Sequence, residues 1–457
     1  MQTRIVILGG GFAGLGVARH LDRLFRGDRS VAITLVNRDN YFLFTPMLPE
    51  VAGSGIEAKH VVSPLRAFCR AVAFRTSEVV GIDLAARTII TAHAVSGRPY
   101  ALPFDHLVLA VGAVAGFRGL PGVAEHALTF KSLGDAMVVR NHLIDLFEQA
   151  DLEEHIDRRR MLLTVVVSGA GFSGVELAGE LADLCRAAAR YYPRIQAGEA
   201  RLMVVHPGQR ILPEIGPELA DYALNKLRAR GVEVLLETAV RAAGPDWVET
   251  DTGRRIPTST LIWTAGTTPS PVLAALPVEQ DRRGAVIVDE HLEVPGYPGV
   301  WALGDCALVR DPLTGTPYPP TAQHATREAK VLAENLAATI RGGTKRPFHF
   351  RSPGMFVALG HRSAVAEIRG HRFSGFPAWW LWRTVYLAKL PRLERKMRVA
   401  LDWTLDLLFP RDFTQMRPFQ ERALPIPGRA EPAMPAIAAA LWGEEKSMSR
   451  EDEEVPL

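Results

Sequence analysis

Cysteine is scarce in this chain. Three occur in 457 residues, Cys69, Cys185 and Cys306, far apart and without a CxxC or CxxxxC pair. That spacing excludes a disulfide scaffold, a structural zinc site and a redox-active dithiol, leaving three ordinary semi-buried thiols in a reducing compartment. Long apolar runs are lacking too. No window reaches about 18 uncharged apolar residues, so no transmembrane helix is expected, and a first strand starting almost at the initiator leaves no room for a signal peptide. Neither sign of charge is in excess: 53 Lys and Arg against 50 Asp and Glu give a formal +3, which does not argue for a nucleic-acid partner. No short-period repeat is found. The 47% apolar and 23% charged content is that of a globular protein, and the length allows two or three domains.

What is present begins with Arg4–Gly14, RIVILGGGFAG. An apolar run meets glycines and an apolar-periodic segment follows, which predicts a buried strand, a tight turn and a helix. Gly9 permits the turn, Gly11 lets a pyrophosphate approach the backbone, and Gly14 lets helix pack on strand, with Phe12 and Ala13 between them. The free N–H groups and positive end of the helix then hold phosphates. One such match is weak, but Leu163–Glu176 repeats it with Gly169, Gly171 and Gly174 around Phe172 and Ser173. Two units imply two dinucleotides.

The strand after the first unit, Val31–Val36, should end in an acid that binds the adenosine ribose, and here Asn37 and Arg38 follow instead. In the second unit the strand Arg201–Val205 ends at His206, where an acid would select the unphosphorylated ribose. Tyr41–Ala52, YFLFTPMLPEVA, reads as an irregular loop, either simply packed or lying along a flavin. Phe104–Gly112 is a strand running into glycine, and Thr129–Arg160 a long helix or helix pair. Arg230–Thr238, Thr260–Thr267, Val286–Asp289 and Val300–Asp305 have strand character, and Pro319–Leu336 becomes a helix after its prolines. Asp305, after Gly304, either contacts a ribityl chain or phosphate or closes a turn. Glu176 either complements the helix dipole or works at the site, because a buried carboxylate is costly unless used.

Phe376–Phe409 interleaves Trp379, Trp380, Trp382 and Trp403 with Arg383, Lys389, Arg392, Arg395, Lys396 and Arg398. That mixture predicts amphipathic helices lying on a membrane surface; a dimer interface or helices packed on the body are the alternatives. From about Pro425 the chain is rich in Pro and Ala, ends acidic, and reads as a disordered tail.

With both glycine units, YFLFTPMLPEVA, LIWTAG (261–266), VWALGDCA (300–307), PPTAQHA and the Trp-rich end in order, the chain resembles the type II NADH dehydrogenases from about Arg4 to Arg422. These are single-subunit, non-pumping NADH:quinone oxidoreductases of the two-dinucleotide-binding-domain flavoproteins. The resemblance implies an α/β fold with two Rossmann-like dinucleotide-binding domains, the second inserted in the first, plus a C-terminal amphipathic helical membrane-docking region. Its divisions would be 1–115 and 290–345 for FAD, 116–289 for NAD(P)H, 346–424 for membrane docking and the quinone path, and 425–457 for the tail. Gly9, Gly11 and Gly14 would hold the FAD pyrophosphate, and Asp305 the flavin's ribityl-phosphate region. Gly169, Gly171 and Gly174 would hold the nicotinamide dinucleotide. Glu176 would lie near nicotinamide and flavin, and Ala322-Gln323 beside the isoalloxazine where quinone arrives. Arg38, Pro46, Gly112, Gly304 and Gly266 complete the expected cofactor-binding set, and no metal is expected.

Three departures stand out: Asn37, His206, and Arg327-Glu328-Ala329 where the family pattern AQxAxQQG continues. They leave NADPH as a rival to NADH. A non-quinone acceptor, or a flavin-bound membrane-associated sensor or scaffold with weak turnover, stays as an alternative. A sulfide:quinone oxidoreductase or a dithiol reductase would need a cysteine pair that is lacking. The expected location is peripheral, on the cytoplasmic side of the cell membrane, and a homodimer is left open.

Overall fold

The expected first strand forms as β1 (Thr3–Leu8), with Ile5, Ile7 and Leu8 fully buried, in a computed structural model that describes residues 2–93, 97–196 and 198–415. There follow α1 (Phe12–Leu24), β2 (Val31–Asn37), α2 (Leu48–Ala52), β3 (Val72–Thr76) and β4 (His106–Leu109). The middle of the chain supplies β5 (Ala127–Thr129), α3 (Leu133–Leu152), β6 (Thr164–Ser168), α4 (Phe172–Ala188), β7 (Arg201–Val205), α5 (Pro217–Ala229), β8 (Val232–Leu235) and β9 (Thr260–Trp263). Then come β10 (Val300–Ala302) and α6 (Ala322–Arg341), and last β11 (Gly354–Ala358), β12 (Ala364–Ile368), β13 (His371–Gly375), α7 (Phe376–Lys389) and α8 (Leu393–Leu408).

Two five-stranded parallel sheets result, one in the order β10-β4-β1-β2-β3 and one in the order β5-β9-β6-β7-β8. Strands covered on both faces must be apolar throughout, which is why β1, β6 and β9 read as unbroken hydrophobic runs. Every strand of the second sheet lies in the chain between β4 and β10, so the second unit is inserted in the first. The outgoing and returning segments, Ala113–Ala115 and Thr267–Pro269, pair antiparallel and join the two units.

Glycine sets how closely the layers approach. A Cβ on Gly16 of α1 would lie 2.6 Å from Ala329 Cβ of α6, so these helices meet almost backbone to backbone. A Cβ on Gly179 of α4 would lie 2.6 Å from the carbonyl carbon of Leu359, which puts α4 against the turn between β11 and β12. Thr321 caps the start of α6, and Gly342 ends it in the left-handed conformation.

Two expectations are corrected, and one left open between two forms is resolved. Tyr41–Ala52 is regular: a strand Tyr41–Leu43, a 3-10 turn Thr45–Met47 and α2, because Phe42, Phe44, Met47, Leu48 and Val51 all turn inward and the prolines sit in first turns, where no N–H is missed. Thr129–Arg160 is a pair, α3 with its Ser132–Asp135 capping box and a short helix Ile156–Leu162. In the C-terminal region, only one of the four grouped tryptophans meets solvent. Trp379, Trp382 and Trp403 are core, whereas Trp380 is 57% exposed. The exposed apolar residues are instead Leu393, Met397, Leu401, Leu405 and Leu408 along the outer side of α8, with Phe376 and Trp380 on α7. Among the described residues no helix is long and apolar enough to cross a membrane. The tail expected at 425–457 lies outside the described residues, as do 416–424.

Candidate active site

Gly9 has φ of +101°, and a Cβ there would lie 2.2 Å from the Ala110 carbonyl oxygen. At Gly14 it would lie 1.9 Å from the Gly9 carbonyl oxygen, whereas at Gly11 it would meet nothing within 4 Å. The outer glycines are thus required by the protein's own backbone, and the middle one faces open space at the start of α1. That helix has no side-chain cap and no acid in its first turn, so its N–H groups are left for an anion. The second unit repeats the arrangement. Gly169 has φ of +105°, a Cβ on Gly174 would lie 1.9 Å from the Gly169 carbonyl oxygen, and Gly171 has only Glu214 Oε1 at 4.0 Å. Phe172 and Ser173 open α4, again uncapped. Thr264 Oγ1 donates to the Ser168 and Gly169 carbonyls at 2.7 and 3.1 Å and fixes that turn from the side.

The two departures at the strand ends do the same job. Asn37 Oδ1 accepts from Gly10 N–H at 2.7 Å, and His206 Nδ1 accepts from Ala170 N–H at 3.3 Å. Each ties the residue after the first glycine to the end of the second strand. Asn37 Nδ2 also donates to the Asp39 carbonyl at 2.8 Å. Burial pushes His206 below its usual range, in keeping with a neutral ring that accepts at Nδ1. Arg38 is not brought in: its side chain is mostly exposed, 3.8 Å from Asp39. Pro46 lies half-buried in the 3-10 turn before α2. Gly112 (φ +68°) and Gly266 (φ +152°) stand where the chain crosses between units, their carbonyls accepting from Ser270 and Gly116 N–H.

At the same end of α1, Gly304 has φ of +71°, and a Cβ there would lie 3.1 Å from Ala13 Cβ, so the Gly304–Asp305 turn rests on the first glycine unit. Burial raises the Asp305 carboxyl, with Lys131 acting against it. Glu328 of α6 is 3% exposed, and its Oε2 accepts from Gly304 N–H at 2.7 Å; burial raises this carboxyl to about 7. Arg327 does not pair with it. Its Nη1 donates to the Gln323 carbonyl at 3.1 Å and its guanidinium lies 4.4 Å over the Phe350 ring.

Ala322 and Gln323 open α6. Gln323 Nε2 donates to the Gly354 carbonyl at 2.9 Å, while its Oε1 is buried without a partner among the described residues. Glu176, 8% exposed, accepts from Ala358 N–H at 3.1 Å, and burial raises it to about 8. One strand, β11, therefore holds both, at ends about 13 Å apart for four residues of strand. Between them Phe356 meets Tyr386 edge-on at 6.4 Å; Tyr386 also meets Phe44 at 6.1 Å and stacks on Trp382 at 4.9 Å. The cysteines take no part: burial raises Cys69, Cys185 and Cys306 to about 11, 12 and 11. Among the described residues no group of His, Cys, Asp and Glu could hold a metal.

Sequence reasoning missed the acids and arginines behind Glu176, namely Glu50, Glu180, Asp406, Arg383 and Arg411. The signal was there: Glu176 and Glu180 stand four apart in a stretch otherwise apolar from Gly174 to Ala182, and Glu50 sits in the middle of MLPEVA.

Comparison with known proteins matches residues 3–329 to the pyridine nucleotide-disulphide oxidoreductase family and residues 353–412 to the NDH2 C-terminal domain. A type II NADH:quinone oxidoreductase of Mycobacterium tuberculosis is 34% identical over 425 residues, 90% of this chain and 89% of that one. A demethylphylloquinone reductase of Synechocystis is 32% identical over 88% of this chain and 96% of its own. The structure of NDH2 from Plasmodium falciparum in complex with NADH superposes with a TM-score of 0.84 at 20% identity, covering 91% of this chain and all of the other.

Proposed function

Because this chain belongs to the type II NADH:quinone oxidoreductase family, we propose that it takes a hydride from NADH onto FAD and passes the electrons to a membrane quinone without pumping protons. The observation that carries the reading is β11, which holds Gln323 and Glu176 between two separate glycine cradles. The residues fit FAD: the open face of Gly11 suits a pyrophosphate, and the unpartnered Gln323 Oε1 suits a donor on a bound ring. FAD, once bound, supplies the two-electron chemistry.

The residue roles follow. The N–H groups at the start of α1, with Gly9, Gly11, Phe12, Ala13 and Gly14, hold the FAD phosphates, and Gly304–Asp305 lines the ribityl side. The start of α4, with Gly169, Gly171, Phe172, Ser173 and Gly174, holds the nicotinamide dinucleotide. Glu176, largely protonated at neutral pH, bears on the nicotinamide and can give a proton at its carboxyl. Ala322 and Gln323 border the acceptor, and the apolar surface of Phe356, Tyr386 and Phe44 excludes water. Orientation of the rings is the main demand on the protein.

The divisions 1–115, 116–289, 290–345 and 346–424 are proposed with these roles. So are docking on the cytoplasmic side of the cell membrane by the outer face of α7 and α8, use of NADPH beside NADH, and pairing of two chains. The deciding measurement is steady-state NADH oxidation by the purified, FAD-loaded protein with a soluble ubiquinone or menaquinone analogue. Turnover of dyes with no quinone analogue accepted would refute the acceptor. Arg327→Gln should leave quinone turnover within a few-fold, since Arg327 is satisfied by Gln323 and Phe350.

A further inference from the structure

Behind the Gly304–Asp305 turn, α6 turns an acid inward. Glu328 is 3% exposed, and its Oε2 accepts from Gly304 N–H at 2.7 Å. The turn it holds is squeezed: a Cβ on Gly304 would lie 3.1 Å from Ala13 Cβ of α1 and 3.7 Å from Ala325 Cβ of α6. Because β10 has ended at Ala302, Gly304 N–H has no strand partner, and without this carboxyl it would be a buried orphan. On the same turn, Cys306 Sγ donates to the Leu303 and Leu109 carbonyls at 3.3 and 3.4 Å. Burial raises that thiol to about 11, so it stays a donor. Asp305 is thus carried on a turn pinned by two buried side chains, beside the first glycine cradle.

Glutamine would hold the same N–H without a charge, so an acid here is the costlier choice unless its charge is used. Glu328 has no cation in contact among the described residues. Burial raises its carboxyl to about 7 against the pull of Gly304 N–H, and the charge of Asp305 adds to the rise. The other groups facing it are Tyr318, from the segment before α6, and His324 and Arg327 of α6, with Lys131 beyond Asp305. None of them neutralises it. Arg327 turns to the Gln323 carbonyl and Phe350, Lys131 acts on Asp305, and burial lowers His324, which favours a neutral ring. A cavity of about 10 Å³, room for one water, lies between Glu328, His324 and Tyr318 under the exposed Pro319 and Pro320. Through it the carboxyl can exchange its proton with solvent although it is buried.

We propose that Glu328 is a positioning residue of the flavin site: it sets the Gly304–Asp305 turn against the first glycine cradle, and its charge governs how firmly FAD is held and how readily the bound flavin is reduced. The role rests on FAD binding as read above. FAD phosphates are negative and reduction adds negative charge to the ring; a carboxylate behind the turn acts on both through protein rather than water. Neutral Glu328 therefore favours bound FAD and its reduction, and ionised Glu328 opposes both. The neutral form prevails at pH 6 and the ionised form at pH 9.

The test compares full-length, FAD-loaded wild type, Glu328→Gln and Glu328→Leu. Glu328→Gln keeps an acceptor for Gly304 N–H and cannot ionise, whereas Glu328→Leu removes the acceptor. FAD release on dilution, read as the gain in flavin fluorescence, should be at least about tenfold faster in Glu328→Leu than in the wild type at pH 6. Wild type and Glu328→Gln should release FAD alike at pH 6, and at pH 9 the wild type should be faster by at least about fivefold. The flavin midpoint potential, read by equilibration with redox dyes, should agree between those two at pH 6 and lie higher in Glu328→Gln at pH 9. Wild type and Glu328→Gln running parallel from pH 6 to 9 in either measurement overturns the proposal, and so does a Glu328→Leu protein that holds FAD as the wild type does. Should Glu328→Leu fail to fold, Glu328→Gln decides alone. If the wild type takes up no FAD at all, the FAD reading falls and takes this role with it.

Discussion

Glu176 shows how one buried side chain ties stability to pH. Its carboxyl sits at about 8 in the folded chain against an ordinary 4.5, chiefly through burial. Because the folded value is raised, the stability it contributes is full below about pH 4.5 and is lost as pH rises through 8, where the folded chain must bury a charge. Glu176→Gln keeps an acceptor for Ala358 N–H and cannot ionise. Its melting temperature should therefore gain on the wild type between pH 5 and 9, by a difference on the order of a few kcal/mol at the alkaline end; a constant offset across that range would show that Glu176 does not titrate there. His206 makes a different case. A neutral ring engaged with Ala170 N–H offers no negative charge to repel a 2′-phosphate. Discrimination between NADH and NADPH should stay below about a thousandfold in kcat/KM, roughly 4 kcal/mol. His206→Glu should raise it at least tenfold in favour of NADH, read from kcat/KM for both.

At the scale of the element, α8 has two unlike faces. Val399 and Trp403 pack inward while Leu393, Met397, Leu401 and Leu405 follow one another at four-residue steps outside. Such a stripe costs nothing to the fold when changed, but it is the surface a bilayer would cover. Met397→Glu with Leu401→Glu should release the protein from anionic vesicles in flotation assays, leaving flavin content and dye reduction as in the wild type. High salt alone should release little, because it screens the exposed Arg398 and Lys389 but not apolar burial. A double variant that still floats with the vesicles would place the anchor elsewhere. The helix also shows where reading stops. Trp, Leu and Arg in one stretch suit a membrane surface and a packed core equally well. What decides is tertiary: Trp382 and Trp403 lie 5.9 Å apart, and Arg383 is sandwiched 3.9 Å from Trp379 and 4.7 Å from Trp403. Trp403, and the acids of α2 and α4 behind it, stand on elements other than the helix that carries Trp379, Trp382 and Arg383.

Over the whole molecule, local requirements were legible and long-range ones were not. The glycine cradles could be read from residues because positive φ and backbone contact are demands of a few neighbouring positions. That Gln323 and Glu176 share a strand could not, since each is hydrogen-bonded to a backbone group of β11 rather than to a side chain. The same difference bears on truncation. Taken as a surface anchor, the region from Phe376 onward should be removable, leaving a soluble flavoprotein. In the structure it carries Trp379, Trp382, Val399 and Trp403 of the core, the indole that bonds Glu50, and the arginines that neutralise Glu180 and Asp406. A buried aromatic side chain is worth about 3–5 kcal/mol when removed, and domains hold only about 5–15 kcal/mol in all. Losing three tryptophans while leaving Glu50 and Glu180 without their cover exceeds that reserve. A chain ending at Gly375 should therefore aggregate or lose cooperative unfolding and fail to retain FAD, whereas the Met397→Glu, Leu401→Glu protein, with the same face made polar, should melt as the wild type does. Calorimetry and flavin absorbance on the two side by side decide it: a truncated chain that is folded, yellow and soluble would mean that α7 and α8 only rest on the body.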